Sequence, residues 1–109
     1  MAEALIVIEI EPADRSITVF EALSPNGDGL NEFWLIQGLE HFPNNVVRIF
    51  DRWNNFIFET HGYNNANIVW RGESNKGLSK KDVGDGTYFY IINPGDGSPL
   101  LSGNVILKR

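Results

Sequence analysis

Single-residue alternation of apolar and polar side chains dominates this chain. Ile6, Ile8 and Ile10 alternate with Val7, Glu9 and Glu11, the period of a strand with one buried face, and Pro12 ends the run. A second short strand is expected over 17–22 (ITVFEA) and a third over 33–36 (FWLI), which Gly38 breaks. Val46 to Asp51 (VVRIFD) alternates again; Asn54-Asn55 then suits a two-residue hairpin turn, because Asn tolerates a left-handed backbone, and 56–60 (FIFET) returns antiparallel. Residues 61–86 hold five of the eleven glycines and read mostly as loop, with a short strand at 68–70. Thr87 to Asn93 (TYFYIIN) is the strongest strand pattern; a Pro-Gly-Asp-Gly turn follows at 94–97, and a last strand is expected over 101–108.

No stretch carries apolar residues at helical spacing over ten positions. Seven or eight short strands at intervals near ten residues predict an all-β fold, an immunoglobulin-like antiparallel β-sandwich. The length of 109 residues matches one domain, and seven Phe, three Trp and three Tyr are ample for one small core.

Charge and composition narrow the function. A net charge of −5 argues against a nucleic-acid partner, whose phosphates demand Lys and Arg. With no cysteine there is no disulfide, thiolate nucleophile or Cys-based zinc site. No run approaches the ~20 apolar residues of a membrane-spanning helix, so no membrane insertion is expected. The first residues also lack the basic flank of a signal peptide; 1–16 read as a start sequence with a linker or an extra edge strand, and 17–109 as the domain proper.

Chemistry is sparse. His41 and His61 stand twenty apart, no G-x-S-x-G or phosphate-binding glycine motif occurs, and Gly84-Asp85-Gly86 leads into a strand instead of a helix, so no enzymatic activity is expected. The segment ALSPNGDGLNEFW (22–34) is the most conspicuous. Aligned as a calcium loop it offers Ser24, Asn26 and Asp28 at alternating positions, with Glu32 as a substitute for the missing closing acid, which would make only a weak calcium site. Physically it reads better as a tight loop in which Gly27 and Gly29 take positive φ and the Asn and Asp side chains cap backbone amides. Trp34, Trp53 and Trp70 with Tyr63 either pack the core or form an aromatic platform for sugar rings, and the latter, with the loop, would make a calcium-dependent carbohydrate-binding or adhesive module. Lys76, Lys80 and Lys81 read as a solvated basic face.

Four pieces in order, SPNGDGLNEFW (24–34), FPNNVVRIFDRWNNFIFE (42–59), WRG (70–72) and GDGTYFYIINPGDG (84–97), closing with SGNVILKR (102–109), resemble the C-terminal domain of gliding-motility-associated proteins, the type B sorting domain of the type IX secretion system of Bacteroidota. The resemblance covers about residues 17–109. It departs at Asn31-Glu32, where the family has Asn-Asp, and at 64–70, where apolar residues precede Trp70. It implies a non-catalytic, cofactor-free address that follows a large secreted or surface protein. Its partners would be the type IX translocon and an outer-membrane protein of the PorP/SprF type, and its destination, reached through the periplasm, the cell surface or the medium. The candidate recognition residues are Pro25, Asn26, Asp28 and Asn31 in the loop, Arg52, Trp53 and Asn54 at the hairpin, and Lys108 and Arg109 at the terminus.

Overall fold

The computed structural model describes residues 16–27, 29–76 and 81–109. The strand expected at Ile6–Ile10 lies outside them, as do Asp28 and Lys80. The described chain is all-β, nine short strands with a single 3-10 turn at Leu39–His41.

One sheet carries most of the order. β4 (Val46–Phe50), β5 (Phe56–His61), β8 (Gly86–Asn93) and β9 (Leu101–Leu107) join β2 (Ala22–Leu23) in the order β2-β9-β8-β4-β5. Alternation sets its two faces: Val47, Ile49, Phe58, Tyr88, Ile92, Val105 and Leu107 point inward and are buried, while Arg48, Phe89 and Ile106 between them point out. Against the inner face lies a layer of short pieces. β1 (Thr18–Val19) pairs with β3 (Ile36–Gln37), and β6 (Glu73–Ser74) with β7 (Lys81–Asp82). Loops between them supply Trp34, Leu39, Tyr63 and Trp70, all fully buried.

The expected strand at 17–22 is two strands because the chain changes sheets within it. The Phe20 amide donates to the Leu35 carbonyl beside β3, and one residue on the Glu21 carbonyl accepts from the Ile106 amide of β9. β2 then runs parallel to β9, the one parallel pair in an otherwise antiparallel sheet. The expected strand at 68–70 is absent: Asn64 caps a turn there through Oδ1, which accepts from the amides of Ala66, Asn67 and Ile68. Val69 and Trp70 are buried without joining a ladder.

Asparagine amides also close two strand edges. Asn65 pairs its side chain with both backbone groups of Ile36, and Asn75 does the same for Glu59 on the outer side of β5. Each mimics one rung of a missing strand, which blunts an edge that would otherwise template association.

Candidate functional site

The sheet's directions gather most of the candidate residues at one end. β2 and β9 finish there, β4 finishes there, and β5 and β8 begin there. The loop after β2, the hairpin between β4 and β5, the turn before β8 and the final residues Lys108 and Arg109 therefore emerge side by side.

At the hairpin, Asp51 organises the turn. Its Oδ1 accepts from the amides of Trp53 and Asn55, both at 2.9 Å, and its Oδ2 from the Asn55 side chain at 2.9 Å. The reversal is not the two-residue Asn54-Asn55 turn that the sequence suggests. Phe50 pairs with Phe56 across a five-residue loop, the Asn54 amide closes back on the Asp51 carbonyl, and Asn54 takes the left-handed conformation at φ 68°. Burial raises the Asp51 pKa, but the hydrogen bonds from Asn55 and Trp53 outweigh it and hold the carboxyl below its ordinary range. The turn thus presents Arg52 and Trp53 outward; Trp53 is 69% exposed, and the Arg52 guanidinium lies over its ring at 4.7 Å.

Beside this hairpin lies the turn at 84–86. Asp51, Arg52 and Trp53 face Gly84, Asp85, Gly86, Thr87 and Tyr88 across a cleft of about 190 Å³. Asp85 belongs also to the terminus, since its Oδ1 accepts from the Arg109 amide at 3.2 Å. The Arg109 side chain turns inward, donating to the carbonyls of Val83 and, at 2.8 Å, of Gly72. Gly72 has φ 85°, and a Cβ there would fall 2.7 Å from the guanidinium, so the Gly of WRG is the seat on which the last residue rests. Lys108 stays exposed, tied through its amide to the Leu23 carbonyl.

The loop after β2 is held by its own carboxylate. Glu32 accepts from the Gly27 amide at 3.0 Å through Oε1 and from the Gly29 amide at 2.6 Å through Oε2, while the Ser24 amide donates to the Asn31 carbonyl at 2.7 Å. Gly27, Gly29 and Asn31 take positive φ, as a loop this tight requires. Pro25 is half-buried; Asn26 and Asn31 are exposed. Glu32 is an internal cap with both oxygens occupied by backbone amides. Among the described residues no cluster of three or more His, Asp or Glu side chains could hold a metal ion.

The aromatic platform is not formed. Trp34, Trp70 and Tyr63 are buried against one another, with ring centroids 6.2 Å apart in the Trp34–Tyr63 and Trp34–Trp70 pairs, and only Trp53 of the four reaches solvent. Of the lysines expected to make a basic face, Lys76 binds Glu59 at 3.1 Å and covers the Phe56 ring at 4.7 Å.

Sequence reading missed a second exposed feature. Phe89, Phe50 and Phe56 stand in register on three adjacent strands, forming an aromatic row across the sheet's outer face, with Phe50 and Phe56 stacked at 5.2 Å. Phe89 and Phe56 are 43% and 39% exposed. Phe50 and Phe89 fall at outward positions of their strands, which a strict inside-outside assignment singles out; Phe56 shares the parity of buried Phe58 and is turned outward by the register shift between Ile49 and Phe50, which alternation does not show.

The family model described as the CHU_C type IX secretion signal domain matches residues 17–106. The match contains the loop after β2, the hairpin, the seat at Gly72 and the turn at 84–86. No curated protein matches the chain.

Proposed function

The chain belongs to the CHU_C type IX secretion signal domain family, and from that membership we propose that it acts as a folded, non-catalytic C-terminal address read by the secretion machinery at the outer membrane. The observation that carries this reading is the family match over residues 17–106. The family description implies export of the protein that bears the domain, to the cell surface or the medium. The finer details follow the same reading: a gliding-associated protein of the Bacteroidota, a route through the periplasm, and an outer-membrane partner of the PorP/SprF type. We read the five-stranded sheet and its covering layer as an immunoglobulin-like sandwich.

Recognition is proposed at the end of the sheet where the candidate residues gather. Arg52 and Trp53 project from a turn that Asp51 fixes, and Arg109 is locked to Gly72, Val83 and Asp85, so the surface is preorganised. A preorganised surface loses little conformational entropy on binding, which suits a signal read as a shape and not as a linear peptide. Pro25, Asn26, Asp28, Asn31, Asn54 and Lys108 complete the proposed surface. No observation favours a calcium or carbohydrate module, whose aromatic platform lies in the core.

The test is a fusion of residues 17–109 to the C-terminus of a periplasm-directed fluorescent reporter, expressed with its cognate partner in a type IX-competent host and in a translocon-deficient one. Export in the competent host alone is the expected result. Reporter retained in the periplasm of both, with the domain folded and the partner present, overturns the reading.

A further inference from the structure

Twelve asparagines occur in the chain, and one of them, Asn26, precedes a glycine. At such a pair the labile asparagine amide closes most readily on its own backbone, because the next residue brings no side chain to shield its nitrogen. The reaction balances with water alone. The Gly27 nitrogen attacks Cγ of Asn26, the N–Cγ bond forms as the Cγ–Nδ2 bond breaks, and ammonia leaves with the proton that Gly27 gave up. Water then opens the cyclic imide at either carbonyl, leaving aspartate or, where the backbone now runs through Cγ, isoaspartate. Either product adds a negative charge to the loop, and isoaspartate also lengthens its backbone. Asn26 and Gly27 are both exposed, so water reaches them.

We propose that Asn26 is a latent deamidation site and that the Glu32 carboxylate is what keeps it closed in the folded domain. The attacking nitrogen must first lose its proton, and that proton is held: the Gly27 amide donates to Glu32 Oε1 at 3.0 Å. Deprotonation there would set an anion at hydrogen-bond distance from a carboxylate, which charge repulsion opposes. The peptide plane between Asn26 and Gly27 must also turn for nitrogen to meet Cγ. It is clamped from both sides. Glu32 Oε2 accepts from the Gly29 amide at 2.6 Å, so one side chain ties down two glycines, and the Asn26 amide donates to the Ser24 carbonyl at 2.8 Å. The Ser24 amide in turn donates to the Asn31 carbonyl at 2.7 Å, closing the loop beside Glu32. Gly27 can therefore react only when the loop opens at its bond to Glu32, and the rate follows the population of that open form. This inference stands on the loop's own contacts and is independent of the secretion reading.

The test incubates the full 109-residue chain in mildly alkaline buffer and follows Asn26 by peptide mapping that separates asparagine, aspartate and isoaspartate. In the folded chain Asn26 should convert roughly tenfold or more slowly than in the same chain unfolded in guanidinium chloride. Glu32→Ala should speed conversion roughly tenfold or more, the factor that loss of a charge-assisted hydrogen bond corresponds to. Glu32→Gln, which offers one amide a neutral acceptor, should also exceed the unmodified rate. Tyr63→Phe, a core change outside this loop, separates the local clamp from global stability and should leave the Asn26 rate within about twofold. Conversion in the folded, unmodified chain at the unfolded rate overturns the proposal. So does a folded Glu32→Ala chain that converts no faster than the unmodified one, or a Tyr63→Phe chain accelerated as much as Glu32→Ala.

Discussion

The phenol oxygen of Tyr63 lies 2.9 Å from the amide nitrogen of Trp70, inside the core, and accepts a hydrogen bond from it. The same hydroxyl donates to the Trp34 carbonyl, while the Trp34 amide donates to the Trp70 carbonyl at 2.9 Å. The β2–β3 connection at Trp34 and the β5–β6 connection that holds Tyr63 and Trp70 are thereby joined through one hydroxyl and their backbones, and the layer opposite the five-stranded sheet holds its shape without a long strand. Burial is the main reason the Tyr63 pKa is driven far above its ordinary value, the Trp70 hydrogen bond pulling more weakly the other way.

Tyr63→Phe keeps the ring and removes the bridge. It leaves a buried amide and carbonyl each short of one partner, at a cost of about 1–3 kcal/mol. The urea midpoint should fall with the slope unchanged.

Alkaline pH should act on the same atom. A phenol whose folded pKa is raised contributes stability fully present below the unfolded value near 10, and that stability is lost as pH rises above it. Tyr88 and Tyr90 are raised in the same direction, chiefly by burial, so Tyr63→Phe should make the fall in Tm above about pH 10 shallower without abolishing it. Equal slopes for both proteins would refute the assignment.

Asn45, 1% exposed, occupies a position that sequence reading passed over inside FPNN. Its Nδ2 donates to the carbonyls of Phe42 at 2.8 Å and Tyr63 at 3.1 Å, and its Oδ1 accepts from the Tyr63 amide at 2.9 Å. Asn45→Ala removes the side-chain partner of the Tyr63 amide and carbonyl, while the Phe42 carbonyl keeps the backbone amide of residue 45, and should cost about 2 kcal/mol or more. Asn45→Asp should be comparably harmful, because a carboxylate would face two carbonyls; a loss under 1 kcal/mol for Asn45→Ala by urea unfolding would count against this role.

What was legible in the sequence was the period. β4, β5, β8 and β9 fall within a residue or so of their expected bounds, since alternation in Val, Ile, Phe and Tyr states both the strand and its buried face. The covering layer was not legible, because side chains build it. Asn64, Asn65 and Asn75 do locally what a strand ladder does elsewhere, and nothing in an Asn-rich stretch distinguishes that from an ordinary loop. The candidate site was half legible. The motifs named the right segments, but Gly72 as the seat of Arg109 depends on a contact between residues distant in sequence, and Glu32 as the loop's own cap depends on a side-chain direction that the motif does not state.

Acid should release the hairpin. Hydrogen bonds keep the Asp51 pKa below its ordinary value of 3.8 against the opposing effect of burial, so the stability it contributes is present above that value and lost as pH falls through the lower folded pKa. The Trp53 and Asn55 amide resonances, both bonded to Asp51 Oδ1, should titrate together with a midpoint under 3.8. Separate midpoints, or a shared one above that value, would show that Asp51 does not hold the turn.

Arg52, Trp53 and Arg109 share one end of the sheet but differ in what their loss does to the fold, and that difference separates recognition from stability. Trp53 is 69% exposed, so Trp53→Ala should change stability by about 1 kcal/mol at most, chiefly through the Arg52 stack. Arg109→Lys keeps the charge but cannot fork between the Val83 and Gly72 carbonyls, and should cost about 1–2 kcal/mol while loosening the terminus on its seat. On the reading proposed above, Trp53→Ala should cut reporter export at least about tenfold, a loss of little more than 1.4 kcal/mol of binding, while Tm falls by a few degrees at most and the domain stays fully folded at the export temperature. Arg109→Lys should lower export and Tm together. Full export with Trp53→Ala, alone and combined with Arg52→Ala, would remove the hairpin from the recognition surface and direct the search to the aromatic row of Phe89, Phe50 and Phe56 on the outer face.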